Sequence, residues 1–190
     1  MNKKSVKKAL LLVLCAILLV VASVMGTLAY LTSSDEVTNT FTVGQVKITL
    51  EETITADNGL DGNLYHLIPG SEYTKDPVVT VLANSEDCYV FVKVDNQISD
   101  IELAGDTSIA EQILDNQWTA LDGQSGVYYK EYTKTGTDTE LPVFESFTVD
   151  AAETNDTLDA VKNAKVIITA YAIQKANITN VAAAWAALNP

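Results

Sequence analysis

The sequence predicts an all-β fold: an antiparallel jelly roll or β-sandwich with a few short helices, preceded by an N-terminal signal or transmembrane segment. Short segments rich in Val, Ile, Thr, Tyr and Phe recur with two-residue alternation. Turn-forming pairs such as Asn58-Gly59, Asp61-Gly62, Pro69-Gly70 and Asp122-Gly123 separate them. The start of the chain reads differently: Lys3, Lys4, Lys7 and Lys8 come before any acid, and no charge follows from Ala9 to Leu31. A basic stretch leading into an apolar one is the pattern of an export signal, and the lysines stay on the cytoplasmic side.

Residues 1–29 are therefore expected to be a signal peptide, and residues 30–190 one exported domain, long enough to bury a core. Thr27-Leu28-Ala29 places small residues at the −3 and −1 positions of a cleavage site, so Ala29 and Tyr30 flank the expected cut. An ordinary signal core is about 7–15 residues, whereas a spanning helix needs about 20 apolar residues. The apolar run here is long enough to span, so a retained anchor stands as the alternative. Leu12-Val-Leu-Cys15 has the outline of a lipoprotein box, but the leucine before Cys15 is bulky and the apolar run continues past it.

In the exported part, Phe41, Val43, Val46, Ile48 and Leu50 mark a first strand, with Gly44 at a bulge. An acidic loop is expected from Thr49 to Leu60, and a turn at residues 66–70. Residues 73–82 read as one strand entered through Pro77, because proline tolerates a first or edge position. After a turn at residues 84–87, Cys88, Val90, Val92 and Val94 alternate with Tyr89, Phe91 and Lys93, so the second, aromatic face is also expected to be partly covered. Residues 107–114 suggest a short helix. Residues 118–121 and 126–132 suggest paired strands joined through Asp122-Gly123, and residues 133–139 a polar loop. An alternating strand at residues 143–149 and a short helix at 156–163 follow. Residues 164–174 are apolar and β-branched enough for a central strand. The tail, 177–188, has helix propensity with Thr179 or Asn180 as N-cap.

The chain carries a net charge of −13, from 12 basic and 25 acidic residues, and every basic residue is lysine. Removing the leader removes four lysines and no acid. Such a domain is repelled by nucleic acid and by anionic membrane surfaces, so contact with a membrane is expected only through the leader. Only Cys88 would remain after cleavage, which leaves no internal disulfide, and its strand pattern makes it a packed core thiol.

Catalytic and metal-binding signatures are missing from the sequence, and neither a catalytic residue nor a cofactor is expected. The single histidine, His66, precedes a Pro-Gly turn and has no partner ligands in a zinc spacing. A Ser/His/Asp arrangement would depend on the same residue. No nucleophile elbow, phosphate loop or dinucleotide fingerprint is present. The adjacent acids Asp35-Glu36 and Glu51-Glu52 point to opposite sides of an extended chain and sit in polar, solvated runs. The acidic stretch around Asp57 and Asp61 lacks the spacing of an EF-hand calcium loop. Asn155-Asp-Thr and Asn177-Ile-Thr match the glycosylation pattern. Tyr89, Tyr128, Tyr129, Trp118 and Trp185 could form an aromatic platform, but packing is the ordinary use of such residues.

The junction Gly26-Thr-Leu-Ala-Tyr-Leu-Thr-Ser-Ser-Asp-Glu-Val-Thr-Asn-Thr-Phe-Thr-Val-Gly44 resembles that of the TasA/CalY (camelysin) family. Further matching features are the Pro69-Gly70 turn ahead of residues 75–81, and Thr169-Ala-Tyr-Ala-Ile-Gln174 followed by Ala184-Trp185. The resemblance implies an exported biofilm-matrix or surface protein, cut by a SipW-type signal peptidase. It also implies a jelly-roll subunit that polymerises with copies of itself by donor-strand complementation. Carried onto this chain, residues 30–40, including Tyr30, Leu31, Thr32, Val37 and Thr40, would be the donor strand. Main-chain hydrogen bonds would supply affinity, and alternate side chains would fill pockets on the next subunit. A minor matrix or anchor protein is a further partner class. Camelysin-like members have been classed as metallopeptidases, for which this sequence shows no ligand set.

The expected function is thus a secreted, non-enzymatic structural protein of the extracellular matrix or cell surface. The alternatives are a monomeric surface-binding or adhesion module and, further off, a camelysin-like peptidase. A casein assay with and without chelator, repeated after His66→Ala, separates out the last.

Overall fold

The computed structural model describes residues 6–8, 11–21, 45–53 and 63–188. The chain divides into two units, residues 1–42 and 43–190. In the first, residues 6–8 and 11–21 are helical and exposed; residues 11–21 lack the glycine and proline that would break a helix. Among the described residues, no helix is long and apolar enough to cross a membrane.

The second unit is built mostly of antiparallel strands with a few short helices. β1 (Ile48–Glu51), β3 (Val78–Val81) and β7 (Thr139–Pro142) form one sheet, in the order β1-β3-β7. β2 (Glu72–Thr74) pairs with β8 (Ser146–Thr148). β5 (Thr119–Ala120), β6 (Val127–Tyr132), β4 (Cys88–Asn96) and β9 (Val166–Gln174) form the third sheet, in that order. The first strand begins at Ile48, and the rest of its expected span, Phe41, Val43 and Gly44, lies outside the described residues. The ladder to β3 continues through Glu51, because Thr49, Leu50 and Glu51 each have a partner there; the acidic loop expected from Thr49 starts later.

The expected single strand over 73–82 is two strands in two sheets, β2 and β3; of the one expected over 143–149 only β8 is strand, and β7 lies just ahead of it, at 139–142. The pairings nevertheless share one register: Thr74 faces Ser146 and Val78 faces Pro142, with residues 75–77 opposite 143–145. Two ladder bonds survive across the gap, Lys75 N–H to Glu145 O at 3.1 Å and Val143 N–H to Pro77 O at 2.9 Å. Their reciprocals do not. Pro77 has no N–H to give, and Glu145 N–H donates instead to Gln112 Oε1 at 3.0 Å. Gln112 also accepts from Ser146 N–H at 3.3 Å and returns Nε2 to Ser146 O at 2.8 Å. A glutamine from the helix α1 (Ile109–Asp115) thus substitutes for the strand at the point where the ribbon bends. Val143 and Phe144 are consecutively buried, so the alternation also changes phase there.

β4 is covered on both faces. Cys88, Val90 and Val92 face a main core with Val79, Val81, Phe144, Phe147 and Ile113, contributed by all three sheets and α1. Phe91 faces a second core with Leu121, Val127, Ala184 and Trp185. The lid of that core is α3 (Val181–Leu188), begun where Asn180 Oδ1 accepts the Ala183 N–H at 2.9 Å. The remaining helix, α2 (Asn155–Ala160), starts with a capping box between Thr154 and Thr157. Gly126, at φ +70°, brings its carbonyl 2.8 Å from Val94 N–H. A Cβ there would fall 2.5 Å from the Val94 carbonyl oxygen, so only glycine fits this turn into β6.

β9 is not the expected central strand. Among the described residues it pairs over its nine residues with β4 alone and ends the sheet. Its apolar character has another cause: Ile168, Ala170 and Ala172 pack on the main core, while Tyr171 and Ile173 pack on the second.

Candidate functional site

Ala29, Tyr30, Leu31, Thr32, Val37 and Thr40, the residues expected to form the cleavage site and donor strand, lie outside the described residues. So do Asp57 and Asp61 of the acidic stretch. What the structure does place is an edge to which a strand could add. Gln97 N–H bonds Lys165 O at 3.0 Å and Lys175 N–H bonds Asp87 O at 2.9 Å at the two ends of the β4–β9 ladder. In an antiparallel pair, residues alternate between bonded and non-bonded positions. Ile167, Thr169, Tyr171 and Ile173 therefore turn their backbone groups toward β4. Val166, Ile168, Ala170, Ala172 and Gln174 turn theirs away, toward an edge with no ladder partner among the described residues. β1 passes close to β9 without forming a ladder with it. Lys165 and Lys175 flank the edge, and lysines at such places discourage unspecific pairing.

A second cluster sits where the β2–β8 ribbon bends into β3–β7. Lys75 falls in phase with Tyr73, Val79 and Val81, so its side chain points inward and is 9% exposed. Burying an ammonium is costly unless it is paired, and Lys75 Nζ lies 2.6 Å from Glu52 Oε2. Glu52, expected in a solvated run, is instead turned inward and is 17% exposed. Its other oxygen, Oε1, accepts from Asn63 Nδ2 at 3.1 Å, and the same amide donates to Thr53 O at 2.9 Å. Tyr65 donates to Thr74 O at 2.7 Å. Burial, then the neighbouring Glu52 charge, pushes the Tyr65 hydroxyl up to about 12. Desolvation raises Asp76, but hydrogen bonds from the Thr53 hydroxyl and backbone outweigh it and hold the carboxyl below its ordinary value. Tyr65, Tyr73 and Phe147 wall the cluster, with ring centroids 5.2–5.7 Å apart.

The other residues singled out from the sequence are dispersed. His66 is exposed, and its carbonyl accepts the Tyr73 hydroxyl at 2.6 Å. Cys88 is buried, which pushes its thiol up to about 11. Among the described residues, no group of three or more His, Cys, Asp or Glu side chains could hold a metal ion. The five aromatics do not share a face. Trp118 and Tyr128 belong to the main core and Trp185, Tyr89 and Tyr129 to the second, which removes the single-platform version of a binding module. Asn155 and Asn177, the sequon asparagines, are exposed.

One carboxylate that the sequence did not single out is tied to stability. Glu102 accepts from Ile109 N–H at 2.6 Å and from Asn96 Nδ2 at 2.9 Å, fastening the start of α1. Burial raises its pKa against the pull of those two hydrogen bonds. The folded chain therefore keeps this proton to higher pH than the unfolded chain does. Its contribution to stability is fully present below the unfolded value and declines as pH rises through the raised folded value. Glu102→Gln keeps the shape and removes the titration. Urea midpoints taken from about pH 4 to about pH 7 should fall less steeply for this variant than for the parent chain; equal slopes would show that Glu102 contributes nothing to the pH dependence.

No family model, characterised protein or solved structure matches this chain.

Proposed function

We propose that residues 30–190 are an exported, non-enzymatic structural subunit, assembling with its own copies into extracellular or cell-surface fibres by β-strand donation. In this reading a SipW-type peptidase cuts between Ala29 and Tyr30. The freed segment, 30–40, carrying Tyr30, Leu31, Thr32, Val37 and Thr40, then pairs with the next subunit. The fold is read as a jelly roll of the TasA/CalY kind, supported by the antiparallel sheets that share one core. A minor matrix or anchor protein is a second partner in the same scheme.

The observation that carries the proposal is the outer edge of β9. It is nine residues long, and the backbone groups of Val166, Ile168, Ala170, Ala172 and Gln174 point away from β4, its one ladder partner among the described residues. In a free subunit such groups would turn to water. An added strand would replace those waters with a ladder whose alternate side chains give specificity. Electron microscopy of purified residues 30–190 tests this directly. Filaments should form and should disappear on deleting residues 30–40. Ala170→Pro removes one outward N–H from the middle of the edge, a place where proline is tolerated. It should abolish filaments while leaving the monomer folded. Filaments that survive the deletion refute strand donation.

A further inference from the structure

We propose that the chain cross-links itself: Lys75 Nζ and the Asn63 side-chain amide condense to an internal amide bond, with Glu52 carrying the protons and ammonia leaving. This inference is independent of fibre assembly. It rests on two side chains meeting at the carboxylate of a third. Glu52 Oε2 holds the Lys75 amine at 2.6 Å, and Oε1 holds the Asn63 amide nitrogen at 3.1 Å. A nucleophile and the leaving group of a candidate electrophile are thus presented by the two oxygens of a single acid. Holding both groups on one acid lowers the entropic cost of a condensation between them.

The reacting groups are largely withdrawn from solvent. Lys75 and Glu52 are 9% and 17% exposed, and Tyr65, Tyr73 and Phe147 exclude water from one side. The neutral amine is a competent nucleophile toward a carbonyl carbon. Proton transfer by a carboxyl group that already touches both nitrogens is general acid–base catalysis.

The step balances without any other reagent. Glu52 takes a proton from the Lys75 ammonium, and the free amine adds to Asn63 Cγ to form a carbon–nitrogen bond. Glu52 returns the proton to the Asn63 amide nitrogen as the old carbon–nitrogen bond breaks. The second amine proton follows the same route, so the products are a secondary amide and one ammonium ion, with Glu52 again a carboxylate. The Asn63 amide is also held by a hydrogen bond to Thr53 O at 2.9 Å. The Tyr65 hydroxyl, bonded to Thr74 O at 2.7 Å, pins the segment that carries Asn63 beside β2.

The chain has no arginine, so trypsin cuts only after lysine, and residues 48–93 contain Lys75 as their one internal site. The full chain is purified, left folded, then denatured and digested before mass spectrometry. The expected product is a continuous 48–93 fragment, lighter by one ammonia and uncut after Lys75. Glu52→Gln and Asn63→Ala should each restore cleavage into 48–75 and 76–93. Ammonia lost through ring closure at Asn58-Gly59 would leave Lys75 cleavable, so it counts against the proposal unless the missed cut accompanies it. Separate 48–75 and 76–93 peptides of unaltered mass from the parent chain overturn the inference, whatever the variants do. A missed cut that persists in Asn63→Ala overturns it as well.

Discussion

Trp185→Ala should destabilise residues 43–190 by about 3–5 kcal/mol, the usual cost of emptying a buried tryptophan or phenylalanine site. α3 has eight residues and no charged side chain, too short to be helical by itself in water. What holds it is its seat on β4 and β9. The Trp185 ring lies 5.2 Å from Phe91 and meets Tyr171 edge-on at 5.5 Å. Its indole N–H reaches Gln124 Oε1 at 3.3 Å, tying the helix to the β5–β6 turn. Truncation removes the largest side chain of the second core and exposes Phe91, which is otherwise fully buried. Urea unfolding should show the lower midpoint. A loss below about 1 kcal/mol, the level of an ordinary surface change, would mean that α3 does not pack on the sheet as described.

Phe147→Ala should cost a similar amount, about 3–5 kcal/mol, by a different route. Phe147 stacks on Tyr73 at 5.2 Å across the β2–β8 pair and takes the edge of Tyr65 at 5.2 Å. Tyr73 in turn holds the 66–68 turn through its hydroxyl, which donates to His66 O and accepts from Ile68 N–H. β2 and β8 have three residues each, so this aromatic group carries much of the apolar packing of the short ladder, beside the Gln112 side chain and the bonds of Val149 to Gly70 and Ser71. Thermal unfolding should drop on the order of 10 °C for such a loss in a domain of this size. A near-parental midpoint would show that the ribbon beyond the bend is held from elsewhere.

What was legible in the sequence was whatever depends on neighbours in the chain. The two-residue alternation of residues 88–94 correctly indicated a strand covered on both faces, and Asp122-Gly123 correctly joined β5 to β6. Asn180, one of the two expected cap residues of the tail helix, does cap it. The misreadings involve partners far away in sequence. The bend at residues 75–77 depends on Gln112, which no local pattern connects to Glu145. Among the described residues β9 ends its sheet, although both its faces are apolar. Glu52 was read as solvated because its neighbours are acidic and polar. The signal that could have corrected this was Lys75: a lysine in phase with Tyr73, Val79 and Val81 points into the core and requires a carboxylate partner.

N-terminal sequencing of chains recovered from extracellular filaments tests the central claim most directly. The account predicts that every such chain begins at Tyr30, because only a freed segment 30–40 can reach the β9 edge of another copy. Filaments whose chains still carry residues 1–29, or chains trimmed to Tyr30 that stay monomeric, would contradict it.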